Sequence, residues 1–292
     1  MSSLPAPGPD DLPKLRPHEF ELVRRMVYDH CGVELRGKEV LVAARLGKEM
    51  RELGLHPFKK YYEYVRGDAT GEALAEMVDA LTTNHTSFFR EPRHFDFLRK
   101  VVLPGLPPSS QVRLWSAACS SGEEPYSIAF SLMEEMGTAA QSRVRVLATD
   151  ISRRMLEKAR QGLYPAPRFE GLPMAMLRKY LLKGEGRSED LFLVKKEVRD
   201  LIEFRHLNLM GDFSRVGTFS VVFCRNVMIY FDQQTQERLV GQLAARLVPG
   251  GYLFIGHSES LYGIQHSLQY VCPAIYRKPS AALHPAGERS GR

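Results

Sequence analysis

The stretch that decides the fold is Val112–Tyr126, with the sequence VRLWSAACSSGEEPY. Its first half alternates apolar residues with others and ends in small ones, which is typical of a buried strand that leads into a tight turn. Its second half closes with Gly122, an acidic pair and Pro125. We expect a helix there with Pro125 in its first position, where a missing N–H costs nothing. A strand, a tight turn and a helix N-terminus in this order predict a doubly wound α/β domain that holds a ligand at the turn.

The residues of this turn indicate what kind of ligand it accepts. The spaced glycines of the dinucleotide motif G-x-G-x-x-G are absent, and Glu123 and Glu124 stand where the third glycine would be. Two carboxylates would repel a pyrophosphate, whereas a ligand with a positive charge and no phosphate fits better. S-adenosylmethionine is such a ligand, because it carries a sulfonium and an ammonium. From these residues alone, an ordinary turn with a solvated acidic pair remains open.

Length and composition limit the class of protein. The 292 residues have room for two domains, and contents of 44% hydrophobic and 25% charged residues are typical of soluble globular proteins. No apolar run approaches ~18 residues and no basic N-terminal region precedes an apolar one, so we expect neither a membrane span nor a signal peptide. Four widely spaced cysteines favour reduced thiols and a cytoplasmic protein. A net charge of +6 favours an acidic partner.

The N-terminal part of the chain predicts a helical domain. After a segment at 1–14 that is expected to be disordered, apolar residues recur at helical spacing through residues 15–84 and mark four helices. The second of these helices is marked by Val40, Leu41, Ala44 and Met50. Residues 85–105 are expected to connect this domain to the next one through a linker and a helix that begins at Pro92.

The α/β domain is expected at 106–278. Its second strand, Val144 to Ala148, leads to Asp150, at a position where nucleotide-type folds hold ribose hydroxyls. Residues 163–200 break the alternation of strands and helices and predict an inserted antiparallel subdomain. Phe219 to Cys224 is a near-continuous apolar run, as a central parallel strand should be.

The last part of this domain and the tail follow the same pattern. A helix marked by Leu239 and Leu243 is expected to include Leu247 and to stop at Pro249, before a strand at Tyr252 to Ile255. Residues 279–292 are polar and are expected to be disordered.

Two further groups of residues have both a functional and an ordinary interpretation. His257 follows a strand and is expected to have no second ligand near it, so we expect a hydrogen-bonding role and no metal site. Arg45, Lys48 and Arg51 are three residues apart on one flank of the second helix. Neighbouring acidic residues leave an ordinary solvated face as the alternative.

Several motifs stand in order along the chain: Asn84-x-Thr86, Phe89-Arg90, WSAACSSGEEPYS at Trp115–Ser127, ATD at Ala148–Asp150, Asn208-Leu209 and CRNVMIYF at Cys224–Phe231. In sequence, order and spacing they resemble those of the bacterial chemotaxis receptor glutamate methyltransferases, the CheR type. The resemblance runs from about residue 17 to 278, and the GEEPYS and CRN-x-x-IYF strings are specific to this family.

The resemblance implies both a fold and an activity. The fold is a Rossmann-like S-adenosylmethionine-dependent methyltransferase domain with an N-terminal all-helical domain and a small antiparallel β insertion. The activity is methyl transfer from S-adenosyl-L-methionine to receptor glutamates, which leaves S-adenosyl-L-homocysteine and sets sensory adaptation. The implied partners are the cytoplasmic helices of methyl-accepting receptors. We further expect a cytoplasmic monomer with no nucleic-acid partner and no membrane insertion.

The resemblance also implies roles for individual residues. Arg90 and Tyr230 would be catalytic. The cofactor-binding residues would be Asn84, Thr86, Arg90, Ala118, Glu123 or Glu124, Asp150, Asn208, Leu209, Arg225 and Asn226. The acidic doublet leaves open which carboxylate faces the ammonium of the methionine moiety. Because the family's substrate glutamates lie on long acidic receptor helices, we expect Arg45, Lys48 and Arg51 to dock the receptor.

Two other classes of function remain open from the residues. The positive net charge and the sheet-edge string Arg225-Asn226…Tyr230 are compatible with a nucleic-acid methyltransferase, although no extended basic stripe interleaved with aromatics is present. A catalytically silent cofactor-binding module is the other class, and the presence of Arg90, Asp150 and Tyr230 argues against it.

Overall fold

A computed structural model describes residues 15–107 and 110–280 of the chain. The predicted disordered segment 1–14 lies outside the described residues, as does the part 281–292 of the predicted disordered tail. Within the described ranges, every helix is too short or too polar to span a lipid bilayer.

The first four helices form a compact bundle with its own core. They are α1 (Pro17–Cys31), α2 (Glu39–Glu52), α3 (Phe58–Gly67) and α4 (Glu72–Leu81). Their core contains Val23, Leu46, Tyr61 and Met77, all fully buried. The predicted second helix is confirmed, but its marker residues are partly wrong, because Val40 is 75% exposed and the buried positions are Val42, Leu46 and Met50.

A short helix connects this bundle to the sheet domain. α5 (Pro92–Phe97) begins at the proline that the sequence indicated and continues into a π-helical turn, Leu98–Val102. Phe95, Leu98 and Val102 are buried against the sheet domain, as the predicted apolar face requires.

The second domain is built on a seven-stranded sheet. The described strands are β1 (Val112–Ser116), β2 (Val144–Asp150), β3 (Leu163–Pro165), β4 (Leu181–Lys183), β5 (Leu191–Val194), β6 (Ile202–His206), β7 (Phe219–Phe223), β8 (Leu247–Phe254), β9 (Gln269–Cys272) and β10 (Ile275–Arg277). The order in the large sheet is β6-β2-β1-β7-β8-β10-β9. The first five strands in this order pair in parallel, and the last two add antiparallel. The chain reverses its direction of winding at β1, so the ligand crevice of such a fold lies at the carboxyl ends of β1 and β7.

Helices cover both faces of this sheet. They are α6 (Glu123–Met136), α7 (Ala139–Arg143), α8 (Arg153–Gln161), α9 (Met174–Tyr180), α10 (Lys196–Arg199) and α11 (Gln233–Arg246). Because side chains alternate along a strand, β7 sends Val221 and Phe223 to one hydrophobic cluster and Val222 to the other. This arrangement confirms the doubly wound α/β fold.

The predicted insertion is also confirmed. β3, β4 and β5 form a separate antiparallel sheet in the order β3-β5-β4, between α8 and β6. α9 follows Pro173, close to the helix that the sequence predicted there.

The predictions at the start of α6 and at the start of β8 were wrong. α6 begins at Glu123, with Gly122 as its N-cap, so Pro125 is the third helical residue and not the first. Leu247 is not helical but opens β8, because it pairs with Phe219 of the neighbouring strand. Pro249 therefore lies inside β8, next to an irregularity in the pairing register, where a strand tolerates a proline. β9 and β10, which complete one edge of the sheet, were not predicted.

Candidate cofactor and active site

A single cavity at the carboxyl ends of β1, β2 and β7 brings most of the predicted site residues together. Those that line it are Asn84, Thr86, Arg90, Ala118, Glu124, Asp150, Asn208, Leu209, Arg225, Asn226 and Tyr230. Cys31 and Val33, from the helical bundle, line the same cavity and were not predicted. The three predicted docking residues and Glu123 lie elsewhere.

The turn between β1 and α6 is fixed by its backbone conformation. Gly122 has φ of 97°, and a Cβ there would lie 2.7 Å from Cβ of Ala159 and 2.8 Å from the Tyr164 hydroxyl oxygen. Ser120 also has a positive φ, 48°, and its N–H donates to Oδ2 of Asp150 at 2.7 Å. The turn therefore presses closely on α8 and connects directly to the end of β2.

Asp150 is a buried carboxylate at the wall of the cavity. Its Oδ1 accepts a hydrogen bond from the Ser152 N–H at 2.9 Å, and Oδ2 accepts the bond from Ser120. Burial raises the pKa of Asp150 to about 6, although these two backbone bonds oppose the shift. Each oxygen has further lone-pair capacity, so the carboxylate can still accept hydrogen bonds from ligand hydroxyls.

The structure separates the two members of the acidic doublet. Glu124 lines the cavity, where its Oε1 accepts from the Ser116 hydroxyl at 2.7 Å and its Oε2 from Nη1 of Arg225 at 2.9 Å. Glu123 points away from the cavity and is fully buried, with Oε1 3.3 Å from Nη2 of Arg168 in the insertion. Of the two carboxylates, Glu124 is therefore the one placed to meet a ligand in this cavity.

Arg225 forms the centre of a buried ion-pair network. Its Nη2 donates to Oε2 of Glu91 at 2.9 Å and to the main-chain oxygen of Arg90 at 2.5 Å, in addition to the bond from Nη1 to Glu124. Glu91 and Asn226 both have positive φ, 59° and 58°, a strained conformation for residues other than glycine. Glu91 was not among the predicted site residues.

The expectation that His257 has no second ligand near it was wrong. Glu91, His94 and His257 place possible ligand atoms within 4.8 Å of one another. His94 is 1% exposed, and burial and the nearby Arg225 charge lower its pKa to about 3. A cation at this cluster would have to share Glu91 with the Arg225 guanidinium, so the local charge opposes metal binding.

A second carboxylate that was not predicted as a site residue, Glu259, holds the loop after β7. Glu259 accepts hydrogen bonds from the backbone N–H groups of Gly256 at 2.5 Å, Asn226 at 2.9 Å and Met228 at 2.8 Å. Burial raises the pKa of Glu259, and these backbone bonds oppose the shift. The loop that carries Tyr230 is therefore held by a side chain from the following strand end.

The helical bundle contacts the mouth of the cavity through the segment after α1. Val33 forms an isolated bridge with Phe231, and the N–H of Glu34 donates to the main-chain oxygen of Tyr230 at 2.8 Å. The Lys38 ammonium lies 5.0 Å from the centre of the Tyr230 ring. The mouth beside Tyr230 is therefore bordered by a positive charge from the helical bundle.

Asn208 also ties the two domains together. Its Nδ2 donates to the main-chain oxygen of His30 at 2.6 Å, and its Oδ1 accepts from the Met210 N–H at 2.9 Å. With its amide engaged on both sides, Asn208 offers a ligand mainly its main-chain groups, next to the buried side chain of Leu209.

The three basic residues predicted on α2 are not equivalent. The Arg45 guanidinium donates to the main-chain oxygens of Leu81 at 2.6 Å and Thr82 at 3.0 Å, so it holds the end of α4. Lys48 and Arg51 are exposed. Lys48, whose ammonium lies 3.8 Å from Glu52 Oε1, and Arg51 can therefore respond to a partner without disturbing the segment that leads into the cavity.

The residues of the cavity fit S-adenosylmethionine. Glu124 lies in the first turn of α6, and Asp150 is the last residue of β2. One carboxylate can therefore face a cationic group while the other accepts hydrogen bonds from ribose hydroxyls. Arg90 and Tyr230 line the same cavity. The site can therefore bring a cationic methyl donor next to groups that can hold an anionic acceptor.

Two family models match this chain. One, described as "CheR methyltransferase, SAM binding domain", matches residues 84–275, and the other, "CheR methyltransferase, all-alpha domain", matches residues 18–82. Together they cover the sheet domain with its connecting helix and the helical bundle.

Named relatives agree with these models. The chain is 39% identical over 269 residues to a chemotaxis protein methyltransferase of Borreliella burgdorferi, which covers 89% of this chain and 94% of the relative. It is 40% identical over 260 residues to chemotaxis protein methyltransferase 2 of Pseudomonas aeruginosa, covering 88% and 92%. For the Escherichia coli relative the identity is 39% over 259 residues, covering 88% and 89%. The chain therefore belongs to the CheR methyltransferase family, and its cofactor is S-adenosylmethionine.

Proposed function

We propose that this protein methylates glutamate side chains on the cytoplasmic helices of chemotaxis receptors, with S-adenosylmethionine as the methyl donor. The observation that carries the proposal is one cavity in which Glu124 and Asp150 share the wall with Arg90 and Tyr230. Relatives of 39% and 40% identity named as chemotaxis protein methyltransferases support the choice of a receptor as substrate.

The proposed contacts to each part of the cofactor follow from the residues that line the cavity. Glu124 would face the ammonium of the methionine moiety, and Asp150 would accept hydrogen bonds from the ribose hydroxyls. The main chain at Asn208 and the side chain of Leu209 would contact the adenine. The other predicted cofactor residues in the lining would help to enclose the ligand: Asn84, Thr86, Ala118, Arg225 and Asn226.

The chemistry of methyl transfer requires little of the protein. A free glutamate side chain has a pKa of about 4.3 and is already an anionic nucleophile at neutral pH, so no general base is needed. The cofactor supplies a methyl group on a cationic sulfur that leaves as a neutral thioether. The protein must align the carboxylate with that methyl group and exclude water.

Arg90 and Tyr230 are the residues that we assign to this alignment. Arg90 can hold the incoming carboxylate by charge-assisted hydrogen bonds, and the Tyr230 hydroxyl can orient it. A carboxylate held too tightly would be stabilised in its ground state, which slows transfer. Arg90 is half-buried, and its guanidinium donates to the main-chain oxygen of His85 at 3.0 Å. With one of its donors engaged in this way, Arg90 is suited to a weak contact with the substrate carboxylate.

A labelling experiment tests the class of substrate. The purified protein is incubated with methyl-labelled S-adenosylmethionine and either receptor-containing membranes or nucleic acid. We expect label on the receptor protein only. This label should be released by mild alkali, because methyl esters hydrolyse under that condition. Base-stable label, or label on the nucleic acid, would contradict the proposal.

The exposed basic residues of α2 give a prediction about receptor docking. The variant Lys48→Glu/Arg51→Glu is expected to raise the KM for receptor about threefold to tenfold, because individual exposed charge pairs are weak. Binding of S-adenosylhomocysteine should not change, and added salt should weaken the wild type more than the variant. The measurement is initial rate against receptor concentration at low and high salt.

A matched control is available on the neighbouring helix α3. Lys59→Glu/Lys60→Glu makes the same change of charge at two exposed positions and should leave the KM near the wild-type value. Equal effects of the two double variants would mean that only net charge matters and that α2 is not a docking surface.

A further inference from the structure

The buried network around Arg225 places one guanidinium between two carboxylates. Nη1 lies 2.9 Å from Oε2 of Glu124, and Nη2 lies 2.9 Å from Oε2 of Glu91. The side chains are 2% exposed for Arg225, 12% for Glu124 and 13% for Glu91. At this burial, charges act on each other more strongly than at a surface, and the sign of their sum matters for any ligand charge nearby.

The sum of these charges depends on Glu91. Arg225 and Glu124 alone would cancel, and a cationic ligand group beside Glu124 would then find no net attraction. Glu91 restores a net charge of minus one, because burial alone would raise its pKa but Arg225 lowers it to about 2, which keeps it ionised. His94, the ring next to Glu91, is neutral at pH 7, since burial and Arg225 lower its pKa to about 3.

The two carboxylates lie on different sides of Arg225, one at the cavity and one behind it. Glu124 and Arg225 line the cavity, whereas Glu91 does not. The second oxygen of Glu91 is held by the His257 N–H at 3.1 Å and by Nδ2 of Asn226 at 3.3 Å. Glu91 is therefore fixed behind Arg225 and Asn226, and it acts on a ligand in the cavity without lining it.

We propose that Glu91 is a positioning residue that neutralises Arg225, so that Glu124 keeps its negative charge for the ammonium of the methionine moiety. This inference rests on the proposed function, in which Glu124 faces that ammonium. Glu91 has a left-handed backbone conformation, which can shape the turn before α5. Its electrostatic role in the binding of the cofactor's ammonium would be additional to that.

The test compares two ligands that differ only in the ammonium. S-adenosylhomocysteine carries it, and its deaminated analogue keeps the adenosine, the thioether and the carboxylate. Calorimetry gives the ratio of their Kd values for each variant. Glu91→Gln is expected to lower the preference for the ammonium ligand about tenfold, because it removes one charge that acts at short range in a buried site. Glu91→Asp keeps the charge and should keep most of the preference.

A double variant separates this role from a purely structural one. In Glu91→Gln/Arg225→Gln the net charge at Glu124 is again minus one, so the preference for the ammonium ligand should return toward the wild-type ratio. If Glu91 only shapes the segment, the double variant should be at least as damaged as Glu91→Gln. Should Glu91→Gln unfold below the assay temperature, the double variant is compared with the wild type instead: a ratio near the wild-type value supports the electrostatic role, and a lost preference overturns it.

Glu124→Gln distinguishes failure of this inference from failure of the proposed cofactor site. If Glu124→Gln loses the preference while Glu91→Gln keeps the wild-type ratio, the inference about Glu91 is overturned and the site stands. If Glu124→Gln also keeps the wild-type ratio, Glu124 does not face the ammonium, and the assignment of the site itself fails.

Discussion

Replacing Arg90 by alanine is expected to lower kcat for methyl transfer about a hundredfold, because a misaligned nucleophile costs about that much. The affinity for S-adenosylhomocysteine should fall by less than about tenfold, since a single hydrogen-bonding side chain is lost from a large contact surface. The main-chain oxygen of Arg90, which accepts a hydrogen bond from Arg225, is unaffected by the change. Single-turnover rates and calorimetry on the same preparation measure the two effects separately.

Arg90→Lys and Tyr230→Phe serve as graded controls in the same assay. Lysine keeps the charge but not the planar pair of donors, so its kcat should lie between those of the wild type and of the alanine variant. Tyr230→Phe removes only the hydroxyl and should lower kcat with little change in cofactor affinity. If Arg90→Ala loses as much cofactor affinity as turnover, Arg90 acts on the cofactor and not on the receptor carboxylate.

Removing the acceptor at Asp150 should produce the largest loss of cofactor affinity. Asp150→Ala is expected to weaken binding of S-adenosylhomocysteine by about 1–3 kcal/mol, because hydrogen bonds from hydroxyls to a charged group are lost. The same carboxylate should make wild-type binding depend on pH. Burial raises its pKa to about 6, and only the ionised form accepts two hydroxyl donors.

The sign of the pH effect follows from that pKa. Affinity should be fully present above about pH 7 and should fall as the pH drops through about 6, to roughly a tenth at pH 5. In Asp150→Ala the residual affinity should be flat over this range. A wild-type affinity that is equal at pH 5 and pH 7.5 would show that Asp150 is not the ribose acceptor.

The sequence allowed the fold to be predicted where local signals and tertiary structure agree. The alternation in Val112–Ser116 and the glycine at 122 were sufficient for strand and turn, because both are set by residues within the stretch. The start of α6 was predicted two residues late. Gly122, with its left-handed backbone conformation, is the N-cap and places the first helical residue at Glu123, and this outweighs the preference of proline for the first helical position. At Leu247, pairing with Phe219 of a neighbouring strand took precedence over the helical pattern.

Most residues that line the cavity were predicted from motifs shared with a known family, whereas contacts between distant residues were not. Glu123 and Glu124 are adjacent in sequence, but successive residues of a helix point about 100° apart, so one faces the insertion and the other the cavity. Glu91 meets Arg225 across 134 residues of sequence, and Arg45 meets Thr82 across 37. No spacing rule links residues so far apart, and their partners became visible only when the two domains were placed together.

The most direct measurement of the central claim is to locate the transferred methyl group on the receptor. Receptor methylated by the wild type and by Arg90→Ala is digested, and the labelled peptides are fragmented in a mass spectrometer. We expect the wild type to place the methyl group on glutamate side-chain carboxylates of the cytoplasmic helices, with far less product from the variant. Methyl groups on nitrogen, on another class of residue or in equal amounts with both proteins would contradict it.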